Sequence, residues 1–190
     1  MGILEQLKKY VPYNEREERD KEQIIKSIEK FDDIFDRSNA LAHMTASAWV
    51  TNKDHTKILM AYHNIYNSFS WLGGHADGNK NLLEVAIKEV KEESGINNVK
   101  PISNDIFSVE ALTVDGHIKN GKYVSSHLHL NVTYLLEADD KEELKVKKDE
   151  NSAVKWFNFD EAVNASNEKW FRDNVYSKLN NKLRELYEKD

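Results

Sequence analysis

The spacing of apolar residues predicts helices at the N-terminal end of the chain. Over residues 2 to about 35, apolar side chains recur as on one face of a helix, first at Leu4, Leu7 and Val11, then at Ile24, Ile25, Ile28 and Phe31. Pro12 interrupts the pattern between these two stripes. The charged run at 14–23 predicts a solvated helix face, and nothing in this extension indicates chemistry.

From His43 the pattern changes to the alternation that is typical of strands. In the longest predicted strand the polar face carries His127, His129, Asn131 and Thr133. A short helix is predicted near 160–164, and a last amphipathic helix begins near Asn167. The predicted strands cover 45–50, 57–62, 106–114, 125–137 and 153–157.

A further helix is predicted between Asn81 and Gly95. Asn81 and Glu84 have the spacing of a capping box, and Gly95 stands where a C-cap glycine belongs. Its apolar stripe is formed by Leu83, Ala86, Ile87 and Val90. Strands before and after this helix, followed by a terminal helix, predict an α/β fold with a mixed sheet between helices.

Three carboxylates share one side of this helix. Each residue advances by about 100°, so Glu92 and Glu93 lie at roughly −60° and +40° from Glu89. Glu89 and Glu93 are like charges four residues apart, which destabilises a helix unless something compensates. A hard, oxygen-seeking cation such as Mg²⁺ would compensate. The helix alone also fits an ordinary solvated acidic face, because 33 of the 190 residues are Asp or Glu.

The residues around this helix carry a longer motif. Gly74 is followed, after thirteen intervening residues, by KEVKEESGI at 88–96. This stretch resembles the signature of the Nudix hydrolases, which runs Gly, five residues, Glu, seven residues, then Arg-Glu-apolar-any-Glu-Glu-any-Gly-apolar. Lys80 stands in place of the first Glu and Lys88 in place of Arg, and Asp77 could supply a substitute carboxylate. The loop GGHADG at 73–78 resembles a branch of Nudix-like proteins.

The resemblance implies an α/β/α sandwich with a mixed β-sheet, an N-terminal helical extension and a C-terminal helix. It implies a single Nudix domain over 1–190, with the extension at 1–42, the core at 43–160 and the C-terminal helix at 161–190. The implied activity is hydrolysis of a diphosphate linkage in a nucleoside diphosphate derivative or similar small molecule. The attacking water would be activated by a bound metal ion, Mg²⁺ or alternatively Mn²⁺.

The same resemblance assigns candidate site residues. The expected metal ligands are the carbonyl of Gly73 and the carboxylates of Glu89, Glu92 and Glu93, and Glu89 or Glu93 is the expected general base. The candidates for substrate binding are His75, Lys88, His129 and Glu150. Other interpretations stay open for some of these: His75 could cap the glycine turn, His129 could belong to a partly solvated sheet face, and Glu150 could lie in a solvated loop. Glu110 could be another pocket carboxylate, but it is expected to be an ordinary surface residue.

Composition limits the remaining functions. The net charge of −6 argues against a nucleic-acid polymer as partner, and no apolar run approaches the length of a membrane span. The absence of cysteine excludes disulfides and thiol catalysis, and it argues against a diphosphate isomerase of the Nudix-like branch that needs a catalytic Cys. With no signal-peptide pattern, the protein is expected to be cytoplasmic. The extension is expected either to cover the sheet or to contribute to a homodimer.

Three functions therefore remain at this point, of which the isomerase is the third and lacks the Cys that it needs. The first is a metal-dependent hydrolase acting on a small-molecule diphosphate. The second is a catalytically weak or inactive Nudix domain that binds a nucleotide-like ligand. The departures at Lys80 and Lys88 favour the second, whereas the intact glutamates at all three metal-binding positions favour the first.

Overall fold

The computed structural model describes residues 1–119, 121–147 and 151–187. A π-helical turn, Arg172–Tyr176, joins the last two helices. The helices are α1 (Ile3–Lys9), α2 (Glu15–Lys30), α3 (Leu82–Ser94), α4 (Phe159–Ala165), α5 (Lys169–Phe171) and α6 (Ser177–Tyr187). The strands are β1 (Ala42–Asn52), β2 (Lys57–His63), β3 (Ser68–Ser70), β4 (Leu72–His75), β5 (Val99–Pro101), β6 (Ser108–Val114), β7 (His117–Lys119), β8 (Lys122–Val124), β9 (His127–Ala138) and β10 (Asn151–Asn158).

Eight strands belong to one sheet, in which β10, β2, β1, β9 and β5 are neighbours in that order. In the same sheet β3 pairs with β2, β4 with β1 and β6 with β9. Strand β2 runs antiparallel to β1, β3 and β10, and β9 runs antiparallel to β5 and β6. Strands β7 and β8 form a separate antiparallel hairpin.

The five strands expected from the alternation pattern are present as β1, β2, β6, β9 and β10. The shorter strands were not predicted, because three or four residues are too few to display a period. The final amphipathic helix is present but is interrupted by the π-helical turn. Among the helices of the described residues, none combines the length and the apolar character needed to cross a membrane.

By its contacts the chain divides into two compact units. The first comprises 1–47, 73–86 and 103–134, and the second comprises 48–72, 87–102 and 135–190. In the first unit α2 packs against β6, and Ile24 of α2 is fully buried. The helical extension therefore covers part of this unit's strands, which was one of its two expected roles, while a homodimer stays a prediction.

Glu17 of α2 contradicts the expectation of a solvated face at 14–23, because it is fully buried. Its carboxylate accepts hydrogen bonds from the Tyr10 hydroxyl at 2.6 Å, the Tyr13 amide at 2.7 Å and the Ser108 hydroxyl at 2.8 Å. These three donors explain how a charged residue can lie in the interior, since a buried polar group needs partners.

The polar side of β9 is also buried where the sequence suggested partial solvation. Asn131 and Thr133 are nearly inaccessible, and so is Glu110 of β6, which was expected at the surface. The side chains of Asn131 and Thr133 donate to Glu110 Oε2 at 2.9 and 3.1 Å, and the Thr45 hydroxyl donates to Asn131 Oδ1 at 2.9 Å. Glu110 therefore lies in a hydrogen-bonded interior network.

The second unit contains an aromatic core. Trp49 is fully buried and stacks on Tyr176 with 5.5 Å between ring centroids, as expected for a core tryptophan. Its indole N–H donates to Asn180 Oδ1 at 3.2 Å, so the single polar atom of the ring is satisfied.

In the β1–β2 hairpin, Asn52 Oδ1 accepts from the backbone amides of Thr56 and Lys57, both at 2.9 Å, which fixes the turn.

Candidate active site

Helix α3 begins and ends close to the predicted residues. Asn81 Oδ1 accepts the Glu84 amide at 3.3 Å, which is one half of a capping box. The other half is absent, because the Glu84 carboxylate accepts from the Asn79 side chain at 3.2 Å and the Asn81 amide donates to Asn79 Oδ1 at 2.9 Å. Gly95 has φ = +74°, the left-handed conformation that ends many helices.

The three carboxylates of α3 differ in their access to solvent. The side chain of Glu92 is 41% exposed, that of Glu89 13%, and Glu93 is almost fully buried. The buried stripe of the helix consists of Leu82, Val85, Ala86 and Val90, one position away from the predicted stripe in its first turn. Val85, Glu89 and Glu93 are four residues apart and therefore lie on the same side of the helix. This places Glu89 and Glu93 beside its buried face.

The neighbours of these carboxylates lie in the same unit. Lys88 Nζ lies 3.6 Å from Glu89 Oε1 and 3.4 Å from Glu92 Oε1, and Lys147 Nζ lies 3.7 Å from Glu92 Oε2. Glu89 raises the pKa of Lys88. Asn151 Nδ2 donates to Glu93 Oε1 at 3.2 Å. Carboxylate oxygens grouped on one helix are the ligands that Mg²⁺ prefers, so this set of residues fits a hard divalent cation.

Gly73 lies in the other unit, on β4, where it packs tightly against β1. A Cβ atom at this position would lie 2.5 Å from the Ala46 carbonyl oxygen and 2.7 Å from Ser47 Cα. Because both contacts are with backbone, no other residue fits without moving a strand. The backbone at 73–78 is fixed further by hydrogen bonds from the Ala76 amide to the Met44 carbonyl at 3.0 Å and from the Gly78 amide to the Phe35 carbonyl at 2.8 Å.

The loop after β4 has its own bracing ion pair. Arg37 donates through Nε and Nη2 to the two carboxylate oxygens of Asp77, both at 2.6 Å. Asp77 has φ = +46°, and this planar, two-point contact holds it there. Lys80 does not brace the loop through an ion pair of this kind, since its ammonium lies over the Phe35 ring, 5.6 Å from the ring centroid. Sequence reasoning identified Asp77 as a substitute carboxylate but missed Arg37, which lies outside the motif.

His75 and His129 lie close together in the first unit, with 4.9 Å between ring centroids. Two further histidines that were not assigned to the site, His43 and His127, belong to the same cluster. Burial lowers the pKa of His75 to about 3 and that of His129 to about 2, with neighbouring positive charges acting in the same direction. Both rings are therefore uncharged at neutral pH. Glu150 lies outside the described residues.

Comparison with known proteins identifies the family. The sequence profile of the NUDIX domain matches residues 41–179, which is most of the chain. This protein belongs to the Nudix hydrolase family. The family assignment made from the glycine and glutamate spacing is thereby confirmed.

Solved Nudix structures share the fold at low sequence identity. A NUDIX-family hydrolase from Clostridium perfringens is 22% identical with a TM-score of 0.54, over 76% of this chain and 97% of the other. A C. elegans Ap4A hydrolase is 16% identical with a TM-score of 0.51, over 77% of this chain and 98% of the other. The E. coli dihydroneopterin triphosphate pyrophosphohydrolase is 15% identical with a TM-score of 0.53, over 73% of this chain and 95% of the other. These likenesses confirm the α/β Nudix fold with its mixed sheet, while no curated protein sequence gives a significant match.

As a Nudix protein, the chain departs from its family's motif at two positions whose surroundings are now known. Lys88, in place of Arg, lies against Glu89 and Glu92 and so keeps a cation beside the carboxylates. Lys80, in place of the first Glu, contacts Phe35, while Arg37 and Asp77 stabilise the loop. In this Nudix protein the loop is therefore held by an ion pair of its own.

Proposed function

We propose that this protein is a metal-dependent hydrolase that cleaves a diphosphate linkage in a nucleoside diphosphate derivative or similar small molecule. The observation that carries the proposal is the arrangement of Glu89, Glu92 and Glu93 on one side of α3, in a spacing that resembles the signature of the family. Two structural neighbours, an Ap4A hydrolase and a dihydroneopterin triphosphate pyrophosphohydrolase, support a substrate that contains linked phosphates.

In this proposal the three glutamates hold Mg²⁺, or Mn²⁺ in its place, with the Gly73 carbonyl as a further ligand. Such an ion supplies Lewis acidity, charge neutralisation at the phosphates and a lower pKa for water. The graded burial gives the carboxylates different tasks. Glu92 is exposed enough to exchange partners with solvent, whereas Glu93 is withdrawn from water and held by Asn151.

A proton must leave the attacking water, and Glu89 or Glu93 is the proposed base. Both lie beside the buried edge of α3, where a carboxylate is less solvated than at the surface. Lys88 remains in contact with Glu89 and Glu92 and is the proposed cation for the negatively charged substrate. The remaining part of the substrate is held by other loops and strands.

The experiment is release of phosphate or nucleotide from ADP-ribose, dinucleoside polyphosphates and nucleotide sugars, with and without Mg²⁺ or Mn²⁺. Glu89→Gln, Glu92→Gln and Glu93→Gln remove one charge each and keep the side-chain shape, so each is expected to lower the rate about a hundredfold or more. Glu84→Gln is the matched control, because Glu84 is an exposed glutamate on the same helix. Unchanged activity in the Glu92 and Glu93 variants would overturn the metal assignment.

A second candidate function is a Nudix domain that binds a nucleotide-like ligand without cleaving it. It is favoured by the position of Lys88, because a fixed ammonium beside Glu89 and Glu92 offsets part of the negative charge that would attract a cation. Thermal stabilisation by a compound of the same panel, without turnover in either metal, would favour this candidate. Hydrolysis gives products whose summed mass exceeds that of the substrate by one water. A single product with the same mass as the substrate would identify an isomerase instead.

A further inference from the structure

Four of the seven histidines of this chain converge within the first unit. They lie on three strands: His43 on β1, His75 on β4, and His127 and His129 on β9. The ring centroid of His43 is 5.1 Å from that of His75, 4.8 Å from His127 and 5.0 Å from His129. This grouping, called here the histidine cluster, takes no part in the function proposed above.

His43 is the most informative member because it is only 5% exposed and one of its nitrogens lacks a partner. Its Nδ1 lies 3.1 Å from the carbonyl oxygen of Asn39, so Nδ1 carries the proton and donates it. Nε2 then has a lone pair, and it has no hydrogen-bond partner among the described residues. A buried acceptor without a partner is destabilising, so a metal ion or proton donor bound to Nε2 would stabilise the protein.

The turn that presents Asn39 is itself fixed. The Asn39 side chain accepts from the backbone amides of Leu41 at 3.1 Å and Ala42 at 3.2 Å, and it donates to Asp33 at 2.9 Å. Its carbonyl therefore has a defined direction and sets both the orientation and the tautomer of His43. A ligating histidine usually donates its second ring N–H to a carbonyl or carboxylate in this way.

The rings of His75 and His129 are uncharged as well. Burial lowers the pKa of His43, and that of His75 and His129 more strongly. The single N–H of a neutral imidazole can still donate a hydrogen bond to a substrate oxygen, so substrate binding by His75 and His129 stays a prediction. The other ring nitrogen is unprotonated, which is the form in which histidine binds metal ions.

We propose that His43, His75 and His129 bind one divalent transition-metal ion, with Zn²⁺ as the first choice, independently of the glutamates of α3. One ligand nitrogen from each ring lies within 4.8 Å of the others. The ligand atoms of a tetrahedral zinc ion lie about 3.3 Å apart. Side-chain rotations that bring the three nitrogens closer together by about 1.5 Å would therefore complete the site. Imidazole suits Zn²⁺, Cu²⁺, Ni²⁺ and Fe²⁺, whereas Mg²⁺ prefers oxygen.

His127 is a positioning residue in this proposal. Its Nδ1 lies 2.8 Å from the Ser125 carbonyl oxygen, which leaves Nε2 as an acceptor, and this Nε2 lies 3.2 Å from Nε2 of His129. A proton on His129 Nε2 would satisfy that contact and leave His129 Nδ1 for the metal. His127 therefore selects the tautomer and the ring orientation of His129.

The test is Zn²⁺ binding by the complete chain without an affinity tag, because a histidine tag would bind the same ions. Isothermal titration with Zn²⁺ gives affinity and stoichiometry, and the visible spectrum with Co²⁺ reports tetrahedral nitrogen coordination. We expect one Zn²⁺ per chain, not displaced by excess Mg²⁺. His75→Gln and His129→Gln should each weaken binding at least about tenfold, and His127→Gln should weaken it less.

The controls separate this site from the proposed active site. His63→Gln removes a histidine outside the cluster, and Glu93→Gln removes a carboxylate of α3, so both should retain Zn²⁺ binding. Because His43 is buried, folding of each variant is checked by circular dichroism, and the rise in melting temperature on adding Zn²⁺ provides a second measurement. The proposal is wrong if the folded wild-type chain binds no stoichiometric Zn²⁺, if the His75 and His129 variants bind normally, or if binding is lost only with Glu93→Gln. None of these outcomes depends on hydrolysis.

Discussion

Asn151 donates a hydrogen bond from Nδ2 to Oε1 of Glu93, across 3.2 Å and between two residues that are almost inaccessible to solvent. Asn151 is the first residue of β10 and Glu93 lies near the end of α3, so a strand and a helix of the same unit fix one carboxylate. A buried carboxylate with a directed donor keeps a single orientation, which is what a metal ligand requires.

Removing this donor should affect metal affinity. Asn151→Ala is expected to raise the Mg²⁺ concentration needed for half-maximal hydrolysis by about tenfold, because Glu93 loses the group that orients it. The measurement is a Mg²⁺ titration of the rate at saturating substrate. Asn158→Ala, at the exposed end of the same strand, is the control. An unchanged Mg²⁺ requirement would show that Glu93 does not ligate the metal or does not need Asn151.

Replacing Lys88 by Arg should restore the family's residue without loss. Lys88 is 62% exposed and contacts Glu89 and Glu92, and a guanidinium at the same place could contact both carboxylates. Activity is expected to remain within about twofold of wild type or to rise slightly. A severe loss of kcat/KM would contradict the alignment of this chain with the Nudix motif.

Glu17 should contribute to stability although it lies in a charged run. Glu17→Ala removes a fully buried carboxylate that accepts from the Tyr10 hydroxyl, the Tyr13 amide and the Ser108 hydroxyl, which is expected to cost about 1–3 kcal/mol in the free energy of unfolding. The neighbouring Glu18 is exposed, and Glu18→Ala should change stability by less than about 0.5 kcal/mol.

Denaturant titration of both glutamate variants measures this difference. The melting temperature should fall by about 2–4 °C for each kcal/mol lost. Equal stability of the Glu17 and Glu18 variants would mean that the helical extension is not anchored by the buried carboxylate.

The glycines of the loop should differ in their tolerance of substitution. In Gly73→Ala the new Cβ would overlap the backbone of β1, so we expect poor folding or a loss of several kcal/mol, about the range of the largest point-mutation effects. Gly78→Ala meets open space and strains only φ = +85°, which costs about 1–2 kcal/mol. Thermal melts of both variants give the comparison, and equal melting temperatures would contradict the close approach of β4 to β1.

Local sequence was enough to identify α3 and to suggest the chemistry proposed for it. The positions of Asn81 and Gly95 determine where the helix begins and ends, and 3.6 residues per turn bring Glu89, Glu92 and Glu93 to one side. The spacing from Gly74 to Ile96 identified the family for the same reason, since all of it lies within one short segment. The five longer strands were also predictable because each has enough residues to show alternation.

Tertiary structure decided which polar residues are buried and which residues are partners. Arg37 pairs with Asp77 across 40 residues, and Asn151 with Glu93 across 58, and no periodic pattern links such positions. Glu17 and Glu110 resemble surface residues in sequence, but hydrogen bonds from distant segments satisfy them in the interior. The histidine cluster forms because three strands bring separate histidines together, and only the folded sheet determines that proximity.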